Sequence, residues 1–435
     1  MEKLKIAMVC QFSKGDLREH LKLSDLKMLN MFRRLFGAAN LIYKDNAPWI
    51  DSILSYFVDN NKYEMHLVAP HIGMKHKIES FNKGGIYYHF FRSFPSVTIA
   101  GLARKVFPTC NFKYKYNRNI VEQVISSVNP DIIILVGVED PSYSSTIVNI
   151  KKPIFVLTQT ILQDPEFKAH FSSKQYEYLT KLEKTIFEKS NYVGVYTDNH
   201  YKCLKSSGFT GNIIGFSWPN KKDEVSLPNP SIKKDFDFIN FATRMSEEKG
   251  YPDSIRALYI VKKQFPNVKL NLIDTGSIDD RKKLDALIMQ FGLESNVSFT
   301  PFFEKREDLF EHIQRARFGV LPCKLDYFSG TMVQCMQYGL PIVVYKTAGT
   351  PTFNNLKPTA LIAEMNNYEE LAEYMLQLMT DETLSLELRC NGFEYVERER
   401  QKNAGSIKKL FEAINAIVQN YYYKIPIPQY LIRKD

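Results

Sequence analysis

Two positive side chains and a polar turn in the C-terminal half of the chain have the composition of an anion-binding site. Arg244 and Lys249 follow the apolar run 236–242, which is typical of a β-strand. A small, flexible turn precedes a predicted short helix further along the chain and consists of Phe328, Ser329, Gly330 and Thr331. Backbone N–H groups at a helix start have no partner within the helix and carry partial positive charge. The two cations and this helix start therefore predict a binding site for a diphosphate.

Short apolar runs alternate with amphipathic stretches along the chain, a pattern typical of parallel sheets covered by helices on both faces. A first series of predicted strands lies at residues 5–10, 63–68, 85–91, 131–137, 154–157 and 192–196. A second series lies at residues 236–242, 269–273, 297–299, 318–321, 342–345 and 360–362. Predicted helices lie at residues 22–36, 119–128, 173–189, 252–264, 281–291, 309–317, 332–338, 368–380 and 384–401. The sequence therefore predicts an α/β protein with two doubly wound, Rossmann-like domains.

A polar stretch rich in proline, residues 218–231, separates the two series and predicts a linker or hinge. We expect an N-terminal domain at residues 1–218, a C-terminal domain at residues 219–405, and a C-terminal helix and tail at residues 406–435 that pack back on the N-terminal domain. The length of 435 residues agrees with two domains, because one hydrophobic core rarely serves so long a chain.

The candidate site residues follow predicted strands. In open α/β sheets ligands bind beyond the carboxyl ends of the strands, so two such domains facing across a cleft would each hold one ligand there. Asp326 follows a predicted strand of the second domain. In the first domain Gly15 is a candidate for a phosphate contact, although a turn needs glycine in any case. Glu139 and Gln159 follow strands of the same domain and are candidates for contact with a second ligand.

The formal net charge of +9 belongs to one half of the chain. Residues 1–220 hold 28 basic and 19 acidic side chains, whereas residues 221–435 hold 29 of each. Such an excess fits an anionic membrane surface, a phosphorylated ligand or nucleic acid, and does not choose among them. The stretch 104–118 interleaves cations with aromatic residues, which suits anionic lipid, RNA or a solvated loop. We expect peripheral contact with an anionic membrane through the basic half, and no nucleic-acid partner.

Cysteine usage and hydropathy indicate the compartment. The six cysteines are scattered, with no Cys-x-x-Cys and no histidine at metal-ligand spacing, which argues against a zinc site and a disulfide framework. No apolar run approaches the roughly 18 residues of a membrane helix. The N-terminus leads directly into a predicted strand rather than into the longer apolar core of a signal peptide. We therefore expect a cytoplasmic protein, peripheral at the inner face of the membrane, with no metal and no bound cofactor.

The second half resembles the retaining nucleotide-sugar glycosyltransferases of family 4, which have the GT-B fold of two Rossmann-like domains. After the first strand of its second domain, that family carries an Arg, four further residues and then Lys-Gly. Arg244, Lys249 and Gly250 match this motif in residue type and spacing.

A second family motif follows in the same order. The family carries Glu, seven residues, Glu, and then a run of the form Ala-Met-x-x-Gly-Leu-Pro-Val-Val. Asp326 and Gln334 take the two Glu positions here, and residues 335–344 read Cys-Met-Gln-Tyr-Gly-Leu-Pro-Ile-Val-Val. The resemblance extends over residues 236–352 by motif and over residues 1–220 by architecture.

The resemblance implies roles for these residues. Arg244 and Lys249 would hold the donor's diphosphate and offset charge on the departing nucleotide, without a bound metal. Gln334 would replace the carboxylate that binds the ribose hydroxyls, since an amide also donates and accepts hydrogen bonds. Asp326 would face the donor sugar, and backbone amides of residues 328–331 would meet the phosphates or the sugar. The implied activity moves a sugar from a nucleoside-diphosphate sugar to a glycan or lipid-linked acceptor, in cell-envelope or capsular polysaccharide synthesis.

Several positions depart from the family pattern. Asp326 and Gln334 replace a pair of glutamates, Tyr-Phe-Ser at residues 327–329 replaces Gly-Phe-Gly, and Glu139 is the nearest ionisable residue where the family often carries a His. These departures leave open a non-catalytic sugar-nucleotide-binding protein or a supporting subunit of a glycosyltransferase complex. A dinucleotide-dependent enzyme is disfavoured, because no Gly-x-Gly-x-x-Gly follows a predicted strand.

Overall fold

The computed structural model describes residues 3–27, 30–31, 43, 47–93, 112–164, 168, 171–219, 228–242, 244–303, 306–324 and 330–434. The chain divides into two compact units. Unit 1 comprises Met1–Asp25, Tyr43–Glu224 and Lys402–Asp435, and unit 2 comprises Leu26–Ile42 and Val225–Gln401. The predicted hinge 218–231 and the cationic stretch 104–118 lie in part outside the described residues.

One sheet forms the centre of unit 1. Its strands are β1 Leu4–Val9, β2 Tyr63–His71, β3 Ile78–Lys83, β4 Ile86–Arg92, β5 Ile132–Val136, β6 Ile154–Leu157, β7 Asn191–Val195 and β8 Asn212–Gly215. They pair in the order β3-β4-β2-β1-β5-β6-β7-β8. The helices are α1 Gly15–Arg18, α2 Pro48–Leu54, α3 Phe112–Val128, α4 Pro141–Ser144, α5 Ser173–Ser190 and α6 Asp198–Ser206. Strand β5 is apolar and buried at every residue, as expected for a central parallel strand covered on both faces.

One part of this sheet differs from the expectation of parallel strands. Strands β3 and β4 pair antiparallel, so that Ile78 lies opposite Phe91. Strand β3 is the edge strand, so each of its residues is half-exposed or exposed. It therefore lacks the apolar run used to predict the other strands. Gly84 and Gly85, both with positive φ of 59° and 76°, form the turn between the two strands. This Gly-Gly pair is a hairpin signal that the sequence contained.

Unit 2 contains a second sheet, parallel throughout its described strands. These are β9 Phe236–Asn240, β10 Leu270–Asp274, β11 Val297–Pro301, β12 Ala316–Leu321, β13 Ile342–Tyr345 and β14 Leu361–Ala363. They pair in the order β11-β10-β9-β12-β13-β14. The helices are α7 Tyr251–Lys262, α8 Ile278–Gln290, α9 Arg306–Ile313, α10 Gly330–Gln337, α11 Tyr368–Thr380 and α12 Glu382–Ala404. The predicted helix 309–317 was too long at its end, because Ala316 already pairs with Phe236 as the first residue of β12.

The last helix, α13 Ser406–Tyr423, belongs to unit 1. Its side chains Leu410 and Ile414 lie in the same apolar cluster as Met8 of β1. The tail then covers the edge of the sheet at β8, where the Arg433 N–H donates to the carbonyl of Ile213 over 2.8 Å. A covered edge cannot pair with another chain. Among the described residues, no helix is long and apolar enough to cross a membrane.

Each sheet has one point where the strand order reverses. In unit 2 the chain runs outward from β9 to β11 and then returns to the other side of β9 with β12. In unit 1 the corresponding point lies between β1 and β5. Loops leave in opposite directions beyond the carboxyl ends of such strand pairs, and the crevice between them is the usual ligand site of an open α/β sheet.

Candidate active site

The loop after β9 carries both predicted cations and passes close to the loop after β12. Gly250 ends this loop with a φ of 73° and caps the start of α7. A Cβ at this position would overlap the carbonyl oxygen of Pro322, which follows β12. Only glycine satisfies both the left-handed backbone and the close approach. The glycine of the Lys-Gly pair therefore brings the two loops together at the switch point.

Arg244 is exposed and lies near two carboxylates. A hydrogen bond from Ser246 and, further, the positive charge of Arg244 lower the pKa of Glu248. Burial raises the pKa of Asp280, but hydrogen bonds from Ser277 and the charge of Arg244 more than offset this and lower it. Asp280 belongs to the capping box that begins α8. Arg244 is thus close enough to the start of α8 for its charge to act on Asp280.

Lys249 is half-buried and directed across the switch point. Its Nζ lies 3.7 Å from Sγ of Cys323, which follows β12. Since Lys249 itself follows β9, its ammonium bridges the two strands between which the order reverses. The structure therefore places the Lys249 ammonium at the switch point of the sheet, and its contact with a ligand stays a prediction.

Lys324 binds the loop that carries Arg244 and Lys249, and it was not predicted as a site residue. Its backbone N–H donates to the carbonyl of Glu248 over 2.8 Å. Its Nζ lies 3.0 Å from the carboxylate of Glu247 and 2.8 Å from that of Asp253. Burial lowers the pKa of Lys324, but the hydrogen bonds to Asp253 and Glu247 more than offset this and raise it. A lysine directly after a buried strand was the sequence signal that could have identified it.

Asp253 is the buried partner of Lys324. Its side chain is 4% exposed, and its carboxylate accepts hydrogen bonds from Tyr345 of β13 over 3.1 Å and from Arg256 over 2.5 Å. The loop of Arg244 and Lys249 is therefore tied, through Lys324, to a buried carboxylate whose other partners lie on β13 and on its own helix α7. A fixed loop holds its cations in place before a ligand arrives.

Helix α10 carries three of the residues that were predicted to contact the donor. Gly330 and Thr331 are its first two residues, and Gln334 lies half-buried one turn later. The opposite face packs inward through Met332 and Cys335, which are fully buried. Asp326, Phe328 and Ser329 lie outside the described residues, so their predicted roles stay predictions.

The candidate residues of unit 1 lie on separate loops after its strands. Gly15 begins α1 after β1, whereas Glu139 and Gln159 follow β5 and β6 and meet. With the Gln159 amide oriented to satisfy both neighbours, its nitrogen donates to Oε1 of Glu139 over 2.5 Å and its oxygen accepts from Nε1 of Trp49 over 2.7 Å. Burial is the largest influence on Glu139 and raises its pKa to about 7. Trp49 is a further residue that the sequence analysis missed.

The described residues contain no group of three or more His, Cys, Asp or Glu side chains arranged to hold a metal ion. Two cations at a switch point can bind a polyanion and stabilise charge that develops on it.

Residues 223–395 match the family model for glycosyl transferases group 1. An uncharacterized glycosyltransferase of Haemophilus influenzae is 23% identical over 181 residues, which are 41% of this chain and 49% of that protein. A poly(glycerol-phosphate) alpha-glucosyltransferase of Bacillus subtilis is 22% identical over 240 residues, 54% of this chain and 34% of that protein. The chain thus matches half or less of the length of these relatives. Residues 223–395 are therefore similar to a glycosyl transferases group 1 domain.

Solved structures agree on the fold. Sucrose-phosphate synthase from Thermosynechococcus elongatus has a TM-score of 0.68 at 14% identity, over 95% of this chain and 100% of that chain. TarM of S. aureus, in complex with fondaparinux, alpha-GlcNAc-glycerol and UDP, has a TM-score of 0.55 at 17% identity, over 69% of this chain and 59% of that chain. The prediction of a GT-B fold with two Rossmann-like domains is confirmed.

Proposed function

We propose that this protein is a retaining glycosyltransferase of the family 4 type, which moves a sugar from a nucleoside-diphosphate sugar to a glycan or lipid-linked acceptor. The observation that carries the proposal is the position of Lys249, whose Nζ bridges β9 and β12 3.7 Å from Cys323, with Arg244 on the same loop. A diphosphate needs paired cations and backbone donors, and helix α10 begins on the same edge of the sheet, after β12.

The two cations act on the leaving group. As the bond from the sugar to the diphosphate breaks, negative charge grows on the phosphate oxygens, and fixed cations stabilise it without reorganisation. The acceptor hydroxyl enters on the face that the nucleotide leaves, which retains the configuration at the anomeric carbon. Gln334 binds the ribose hydroxyls and Asp326 faces the donor sugar in this scheme. It requires no metal ion.

The acceptor proposed here is an intermediate of a cell-envelope or capsular polymer. The relative in Bacillus subtilis is named for a poly(glycerol-phosphate), and the TarM complex contains alpha-GlcNAc-glycerol beside UDP. The excess positive charge of residues 1–220 supports a phosphorylated acceptor and peripheral contact with an anionic membrane on the cytoplasmic side. Sedimentation with phosphatidylglycerol vesicles and with phosphatidylcholine vesicles tests that contact, since only the anionic vesicles should retain the protein.

Donor binding is tested first, because it does not require a known acceptor. Thermal shift against UDP-, GDP-, ADP- and CDP-sugars should identify at least one donor that raises the melting temperature. The selected donor, labelled in its sugar, is then incubated with extracts that contain candidate acceptors, and the anomeric configuration of the product is read by NMR. An inverted product would exclude the retaining mechanism, and stabilisation by no donor would exclude the proposal.

A second candidate is a non-catalytic sugar-nucleotide-binding protein or a supporting subunit. It is favoured by Gln334 of α10, where the family pattern has a carboxylate. Both candidates bind the donor, but only the enzyme hydrolyses it slowly or transfers its sugar. Replacing Gln334 by Glu separates them further, since a gain of transfer in Gln334→Glu alone would indicate that the natural chain has kept binding without fast chemistry.

A further inference from the structure

We propose that unit 1 binds a sugar ring of the acceptor on the indole face of Trp49, beside the pair formed by Gln159 and Glu139. This inference rests on the proposed function and narrows it, because it assigns the acceptor to neutral carbohydrate at the point of contact. The three side chains come from α2 and from the loops after β5 and β6, all within unit 1.

Trp49 is both exposed and fixed. The residue is 39% exposed, although large aromatic residues are usually buried. Its Nε1 nevertheless donates to Gln159 over 2.7 Å, so the ring cannot rotate freely into solvent. An indole whose N–H is anchored and whose surface is open is a rigid apolar platform. Such a platform binds with little loss of side-chain entropy.

Trp49 belongs to an aromatic group that supports it from one side. Its ring centroid lies 6.4 Å from that of Trp218, in an edge-to-face arrangement. Trp218 in turn contacts Phe216 at 5.0 Å and Tyr196 at 6.1 Å. The two tryptophans of the 435-residue chain therefore meet at this one place. Edge-to-face packing of this kind holds a ring at a defined angle.

Gln159 links the platform to the carboxyl group. Its side chain accepts from Trp49 and donates to Glu139, and its backbone carbonyl accepts from the hydroxyl of Tyr196 over 3.1 Å. The other oxygen of Glu139 accepts from the backbone N–H of Val138 over 2.8 Å. The polar groups beside the platform are thus held in a fixed pattern, which is what selective recognition of hydroxyl groups requires.

The charges around Glu139 favour a neutral ligand over a phosphate. Burial raises the pKa of Glu139 most, and the negative charges of Asp140 and Glu183 also raise it. An added anion would therefore meet the repulsion of these two groups. A carboxyl group with a pKa of about 7 is partly protonated near neutral pH and then both donates and accepts. A pyranose presents an apolar C–H face and a rim of hydroxyl groups, which matches an indole face with a carboxyl group and an amide beside it.

The two tryptophans make the site its own fluorescence reporter. In Trp218→Phe the only indole left is Trp49, and in Trp49→Phe it is Trp218. Full-length protein of both variants is titrated with methyl glucopyranoside and with methyl N-acetylglucosaminide, and glycerol serves as the control. We expect a saturable change in the emission of Trp218→Phe with at least one glycoside, and none with glycerol. Loss of the carboxyl group in Glu139→Ala, made in the same background, should weaken this binding by about fivefold or more.

Two outcomes would overturn the inference: no saturable change with either glycoside, or an equal change in Trp49→Phe. Donor binding is measured in parallel by thermal shift on wild-type protein and Trp49→Ala. If donors bind both proteins equally while no glycoside reaches Trp49, the sugar site fails and the proposed function stands. If glycosides bind at Trp49 but no sugar nucleotide stabilises the protein, the proposed function fails and the sugar site stands.

Discussion

The Nζ of Lys324 lies 2.8 Å from the carboxylate of Asp253, which is 4% exposed. Lys324 is also bound to Glu247 and, through its backbone, to Glu248, in the loop that carries the two predicted cations. One lysine after β12 therefore fixes the geometry of the loop after β9. The ion pair of Lys324 and Asp253 therefore stabilises the switch point, and neither residue is a proposed ligand contact.

Replacing Lys324 by Met should destabilise unit 2. The substitution leaves Asp253 buried with Tyr345 and Arg256 but without the second of its two cations, and removing one partner of a buried pair costs more than the pair itself contributes. We expect the free energy of unfolding to fall by roughly 1–3 kcal/mol, less than for a pair left wholly uncompensated. Urea unfolding followed by circular dichroism measures it.

The matched control is Lys346→Met in the same unit. Lys346 pairs with Glu364 over 2.7 Å, but the two side chains are 54% and 63% exposed. An exposed pair of this kind contributes little to stability, because water already solvates both charges. Equal losses in the two variants would show that Lys324 does not act through a buried carboxylate.

Replacing Gly250 by Ala should lower the free energy of unfolding by more than its positive φ alone explains. Gly250 has a φ of 73° and an added Cβ would overlap Pro322, whereas Gly292 has a φ of 60° and no heavy atom within 4 Å of such a Cβ. Gly292→Ala therefore measures the cost of the left-handed backbone, about 1–2 kcal/mol. Gly250→Ala should lose at least about 2 kcal/mol more, because the loops after β9 and β12 must separate. Equal midpoints in urea for both variants would contradict the close approach at the switch point.

The pKa of Glu183 predicts a pH-dependent difference in stability. Burial raises it from 4.5 to about 7, although hydrogen bonds from Leu162 and Gln163 lower it. The folded chain therefore keeps this proton to higher pH than the unfolded chain. Unfolding releases the proton between about pH 4.5 and about pH 7, so the contribution of Glu183 to the free energy of unfolding falls as the pH rises through this window.

The variant Glu183→Gln isolates this effect, since it is neutral throughout. Buried histidines act in the opposite direction, with pKa values lowered by burial to about 4, namely His71, His89, His200 and His312. The prediction therefore concerns the difference between the two proteins. Wild type should lose stability relative to Glu183→Gln by at most about 1.4 kcal/mol per pH unit. Parallel curves of unfolding free energy against pH would contradict the raised pKa.

The buried strands could be predicted because their apolar runs are forced by burial on both faces. Strands such as β6 and β13 begin and end as the sequence predicted, at Ile154–Leu157 and Ile342–Tyr345. The edge strands β3 and β8 escaped prediction, because an edge strand is half-exposed or short and its apolar signal is weak. Their existence depends on pairing partners far along the chain.

The residues of the candidate site also fall into two groups, those that sequence patterns pointed to and those that depend on tertiary contacts. Arg244 and Lys249 were chosen because a resemblance in spacing and a strand end both pointed to them, and their roles stay predictions. The position of Lys324 after a buried strand was a signal, but its role, like that of Trp49, arises from contacts with Asp253 and Gln159 that no local pattern encodes. Sequence patterns locate groups that follow strands, whereas the partners of those groups depend on tertiary packing.

Calorimetric titration measures whether Arg244 and Lys249 bind a diphosphate. The nucleoside diphosphate of the donor found by thermal shift is titrated into wild type, Arg244→Ala and Arg389→Ala, the last an exposed arginine on α12. We expect Arg244→Ala to weaken binding by about tenfold to a hundredfold, and Arg389→Ala to leave it unchanged. Equal affinity for wild type and Arg244→Ala, with both proteins folded, would contradict this expectation.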